Sequence, residues 1–145
     1  MRKCAAILVL TAALAAAGLY LLNRQPAQQK TAGIPTGPAP ALPPGFPPTF
    51  PGSSLQGNHT NPMEGGWTRA FDYTVKAKAD DIIAFYRKAL TDAGLQVMAE
   101  GGGPYGGMLR AQAKDKKQAV YVDVEAPEDK PDQVPKITVT VVDSQ

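Results

Sequence analysis

Residues that carry chemistry are scarce in this chain. It has one cysteine, Cys4, and one histidine, His59, in 145 residues. A lone cysteine excludes any disulfide within the chain, so folding does not depend on oxidation. One His and one Cys do not assemble a zinc site. A nucleophile–histidine arrangement would have to use His59, yet Cys4 lies near the N-terminus and Ser53 and Ser54 follow a proline-rich stretch. The sequence therefore offers no catalytic set and calls for no cofactor, and the expectation is that it is not an enzyme. Charge is thin as well: no Asp, Glu, Lys or Arg occurs between Lys30 and Glu64. The net charge of +2 is misleading, because Arg2, Lys3, Arg24 and Lys30 lie in the first thirty residues. The remainder has eleven basic side chains against thirteen acidic ones. With no basic face on the part that folds, a nucleic-acid partner is not expected.

Two long segments are rich instead. Residues 5–22 contain no charge, and eighteen residues at 1.5 Å each make roughly 27 Å of helix, close to the ~30 Å of a bilayer core. Arg2 and Lys3 precede this run, Tyr20 falls near its end and Arg24 just beyond, the pattern of a single-pass anchor whose N-terminus stays in the cytoplasm. Ala15-Ala16-Ala17 also fits a leader-cleavage site, so residues 1–24 read as a transmembrane anchor or a signal peptide. Cys4 precedes the apolar run, whereas a bacterial lipoprotein cysteine follows it. Residues 25–54 hold nine of the fourteen prolines and read as a disordered linker of polyproline II character, with Phe46 and Phe50 pinning its end to the edge of the domain.

Residues 55–145 carry the patterns of a small α+β domain. Ile82, Ile83, Phe85, Tyr86, Ala89, Leu90 and Ala93 recur at helical spacing, with Arg87, Lys88, Thr91 and Asp92 opposite. Asp80 is the expected N-cap, Asp81 the first-turn acid, and Gly94 the residue beyond the C-terminus. Trp67, Arg69, Phe71, Tyr73 and Val75 alternate with Thr68, Ala70, Asp72 and Thr74, as a half-buried strand does. Leu95, Val97 and Ala99 predict a second strand with those three on one side. Gly101 to Gly107 reads as a flexible turn. Met108–Ala113, Gln118–Glu125 and Lys136–Val142 predict three more strands, and Leu55 to Gly66 a strand margin and loop. The expected order is β-α-β-β-β-β: about five antiparallel strands with the helix across one face. The other face would show Thr68, Thr74, Tyr121, Asp123, Thr138 and Thr140 to water or a weak partner.

The glycine-rich run 101–107 lacks the Gly-Lys-Ser/Thr and following helix of a phosphate loop. The alternative to a binding module is a periplasmic carrier of a small ligand, held between helix and sheet, or of copper, since His59 with Met63, and Met98 and Met108 elsewhere, supply the Met and His that suit Cu(I). The candidate interaction surface is Tyr105, Arg110, Tyr121 and Asp123, together with the acidic loop 125–132.

The approach L-P-P-G-F-P-P-T-F-P-G-S at Leu42 to Ser53 and the helix F-Y-x-x-x-L-x-x-x-G at Phe85 to Gly94 resemble small bacterial envelope domains of unknown function. The chain is also similar to the helix-grip domains of accessory lipoproteins in outer-membrane assembly. That resemblance covers roughly Leu42 to Val142. It implies one helix packed on an antiparallel sheet and an envelope compartment; the expectation is a membrane-anchored module, its C-terminal domain on the periplasmic or extracellular side of the inner membrane, that binds an envelope protein or the cell wall. It implies no catalytic residue. One departure is Leu95, where the pattern has an aromatic after the glycine.

Overall fold

The computed structural model describes residues 33–127 and 134–145. The expected anchor, the first part of the linker and most of the acidic loop lie outside them. Among the described residues, no helix is long and apolar enough to cross a membrane. The described residues are α+β: one helix, α1 (Ala79–Asp92), packs on a sheet of six strands. These are β1 (Ser54–Met63), β2 (Gly66–Thr74), β3 (Gln96–Gly103), β4 (Gly106–Gln112), β5 (Gln118–Glu125) and β6 (Lys136–Ser144). Their spatial order is β1-β2-β6-β5-β4-β3, every neighbouring pair antiparallel. Chain order is thus β-β-α-β-β-β-β, one strand more than expected.

The extra strand is β1, which the sequence presents as margin and loop. It hydrogen-bonds along β2 through a tight turn at Glu64-Gly65, where Gly65 takes φ of 76°. Its residues carry no apolar alternation because neither face of the strand is covered. Periodicity detects burial on one side, and β1 has none to detect.

Alternation does hold in the central strands. Ile137, Val139 and Val141 of β6 and Val120, Val122 and Val124 of β5 are buried on one and the same face of the sheet. Leu109 and Ala111 continue that face on β4, and Ile82, Ile83, Tyr86 and Leu90 close over it from α1. Burying a Leu, Ile or Val side chain contributes about 1.5–3 kcal/mol, so this layer is the main source of stability. Gly107 lies directly under the helix: a Cβ there would stand 2.9 Å from Cγ1 of Ile83. The glycines at 101–107 are thus not a loose turn. Gly101–Gly103 pair with Gly106–Met108 across a two-residue connection, Pro104-Tyr105.

Two local expectations are corrected. The helix N-cap is Lys78 with no side-chain cap bond, and Asp80 joins Asp81 in the first turn, where both still favour the helix dipole. In β3 a bulge between Val97 and Ala99 breaks the alternation, so Val97 pairs with Ala111 of the core face and Ala99 with Arg110 of the other. Gly94 takes φ of 87° after the helix, as expected.

Helix α1 contacts β3, β4 and β5, which leaves the apolar side of β2 and β6 to be covered otherwise. Residues 40–53 cover it. Leu42, Phe46 and Phe50 pack against the core, the last with its ring edge-on to Phe85 at 5.2 Å between centroids. Pro47 is buried. Arg69, itself buried, donates to the carbonyl of Pro40 and to Asp143 at 2.6 Å, and Gln118 donates to the other oxygen of Asp143 at 2.9 Å. The segment expected as spacer up to residue 54 is therefore, from Pro40 onward, a second layer of the fold. Its aromatics pin it far more extensively than at an edge.

Candidate functional surface

Strand register sets out the uncovered face as a grid. One row runs His59, Ala70, Thr140, Tyr121, Arg110, Ala99 from β1 to β3 in sheet order. The adjacent row runs Gly57, Asp72, Thr138, Asp123, Met108, Gly101. Each set lies on one side because side chains alternate with period two, and antiparallel register brings directly opposed Cβ atoms to about 5 Å. Neither row has a layer above it from the described residues.

Three of the four residues singled out from sequence meet here. Arg110 stands over the ring of Tyr121 at 5.2 Å from its centroid, a cation–π pair across neighbouring strands. Asp123 is the next residue on the same side of β5, opposite Met108, which is 49 % exposed. Thr138 donates to Asp72 at 2.8 Å, fixing that carboxylate beside the same patch. Together they form a polar surface with one aromatic and one thioether at its centre. Sequence alternation found the side of the sheet; cross-strand register, which sequence does not show, brought Met108 and Asp72 into it.

Tyr105 stands apart. It is half-exposed at the β3–β4 turn, its carbonyl accepting from Ala126 at 2.9 Å, five residues and about 17 Å along the strand from Arg110. That end of the sheet also holds a shallow depression of about 390 Å³ lined by Gln56, Asp72, Thr74, Glu125, Lys136 and Thr138. The chain enters at the opposite end, where Gly33 accepts from Gly65, and the last residue, Gln145, bonds to Gly65 there too.

No family model matches this chain, and comparison with curated proteins finds no significant relative.

The remaining candidate chemistry disperses on inspection. His59 and Met63 lie four positions apart on one extended strand, about 13 Å, too far to share an ion. Met63 instead takes a hydrogen bond from Thr68 at 3.1 Å. Met98 is exposed at the bulge of β3. Among the described residues, no three His, Cys, Asp or Glu side chains converge as metal ligands. Among the described residues three groups show displaced protonation: Tyr86, Arg87 and Glu100. Burial raises the Tyr86 hydroxyl above the ordinary phenol range, reinforced by Tyr73 and partly offset at the Phe50 backbone. The hydroxyl is buried with no hydrogen-bond partner among the described residues. The Arg87 guanidinium hydrogen-bonds Glu100 and holds its carboxyl below the usual range on the solvent side of α1.

Proposed function

We propose that this chain is a non-enzymatic binding module of the bacterial cell envelope, held to the inner membrane through residues 5–22 and exposing residues 55–145 on the periplasmic or extracellular side. The observation that carries the reading is the uncovered sheet face, where Tyr121, Arg110, Asp123 and Met108 stand in register beside the Thr138–Asp72 pair. Its chemistry suits a protein partner: an aromatic and a thioether give apolar contact area, and the ionised groups around them give orientation. A surface this polar commits to a partner only when one is present, so the domain stays soluble alone. The apolar run with its flanking basic residues supports the anchor. The proline-rich approach and the F-Y-x-x-x-L-x-x-x-G helix support the likeness to small envelope domains.

The test is a complex-formation assay on the full chain expressed with its anchor. Native electrophoresis of mildly solubilised envelopes should show the chain in a species larger than itself. Tyr121→Ala combined with Arg110→Glu should leave only species made of this chain alone, without lowering its melting temperature by more than a few degrees. If the double variant stays in the large species, the face is not the contact surface.

A further inference from the structure

The two edges of the sheet are built differently. The outer edge of β3 carries Glu100, held by Arg87 of α1, a bulge at Met98 and three glycines, devices that discourage strand addition. The outer edge of β1 has fewer. Its ten residues, S-L-Q-G-N-H-T-N-P-M, contain no Asp, Glu, Lys or Arg. All but Gly57 are exposed, and among the described residues pairing runs along one edge only, that facing β2. Its bulge at Gln56 and its proline at 62 fall towards the two ends, which leaves Gly57 to Asn61 regular. Proline within a paired edge strand turns its missing N–H outward. Since alternate residues direct their backbone groups the same way, Asn58 and Thr60 present N–H and C=O to the free edge, and Pro62 presents C=O.

We propose that β1 pairs with β1 of a second copy of this chain, antiparallel about a two-fold axis at His59 or Thr60. An axis on Thr60 sets two Thr60 residues to exchange both backbone bonds, and the N–H of each Asn58 opposite a Pro62 carbonyl. Pro62 has no N–H to return to the Asn58 carbonyl, so this register loses one bond at each end, whereas an axis on His59 lets Asn58 and Thr60 exchange both bonds. No charge meets its like along the contact, because the strand has none. The occupant is a second copy rather than a filament of copies because the opposite edge is blunted: β1 on β3 would propagate without closing, and β1 on β1 closes. The result is a twelve-stranded sheet with two Tyr121–Arg110 patches on one continuous face. Strand pairing alone buries less than a standard interface, so the dimer is weak and concentration-dependent. This goes beyond the binding reading and does not require it.

The experiment is a single-cysteine scan of residues 57–61 in the full chain, in mild detergent, with Cys4→Ser as background. Opposed residues of an antiparallel pair have Cα atoms about 5.5 Å apart, within disulfide reach, while residues two positions off the axis are carried out of it. Oxidation should therefore give covalent dimer with a maximum at His59→Cys or Thr60→Cys, falling by at least fivefold at Gly57→Cys. Light scattering should show the dimer fraction rising with concentration for the wild type and absent for Thr60→Lys, whose melting temperature stays unchanged. A monomer at all concentrations up to about 100 µM overturns the proposal. So does a flat crosslinking profile, or a stronger crosslink at Val97→Cys on β3.

Discussion

Phe50→Ala tests whether the proline-rich segment is structure or tether. Phe50 is half-buried, packs against the core and meets Phe85 edge-to-face at 5.2 Å. Truncating a fully buried Phe to Ala costs about 3–5 kcal/mol, and half-burial brings that to roughly 2 kcal/mol, of which about 0.5–1.5 belongs to the ring pair. In a domain of this size 1 kcal/mol moves the melting temperature by about 4 °C, so the expected loss is about 8 °C. The assay is a thermal melt of the full chain followed by near-UV circular dichroism, with Ile34→Ala as control. Ile34 belongs to the same segment but is 65 % exposed, and its truncation should leave the melt unchanged. A loss below about 1 °C for Phe50→Ala would refute the reasoning: residues 40–53 would then be a spacer, and the apolar side of β2 and β6 would have another cover.

Arg69→Met should cost about 2–3 kcal/mol in denaturant titration, somewhat under the usual 3–5 for breaking a buried pair, because the Asp143 side chain keeps 20 % exposure and its bond from Gln118. Adding Asp143→Leu should recover most of that loss. Gly107→Ala should cost about 1–3 kcal/mol through collision with Ile83, and less in an Ile83→Ala background, a non-additivity that equilibrium unfolding can read. The Glu100 carboxyl, held low by Arg87, adds stability above the ordinary glutamate pKa of about 4.3 and loses it as pH falls through its own lower value. Melts of wild type and Glu100→Gln should therefore differ slightly at pH 7 and converge as the pH falls through the lowered Glu100 value. The difference is small because both side chains of the pair reach solvent.

Helix α1 was legible because its apolar residues bury one stripe, and β2, β5 and β6 because they bury one side. β1 was not legible for the complementary reason: with both faces in water nothing selects its side chains, and only backbone pairing with β2 makes it a strand. The segment 40–53 reads correctly as extended and proline-rich, but proline density reports conformation and not docking. Leu42, Phe46 and Phe50 were the signal that it docks more widely. Arg69 was placed on the inward side of its strand with Trp67 and Phe71, yet its partners, Asp143 and the Pro40 carbonyl, lie 74 and 29 residues away and only the fold joins them. The same holds for the candidate surface. Alternation put Tyr121 and Asp123 on one side, and register with β4 and β6 made them part of a patch. Tyr105, in the glycine-rich turn, is exposed but is not part of that patch.

The claim that the uncovered sheet face is the contact surface is tested most directly by site-specific photo-crosslinking in intact cells. A photoreactive residue replaces Tyr121 on the sheet face or, in a parallel strain, Ala84 on the exposed side of α1. The account predicts a discrete adduct of one mass from position 121 and none from position 84, with the position-121 adduct lost when Arg110→Glu is added. A stronger adduct from position 84, or one from position 121 indifferent to Arg110→Glu, would contradict it.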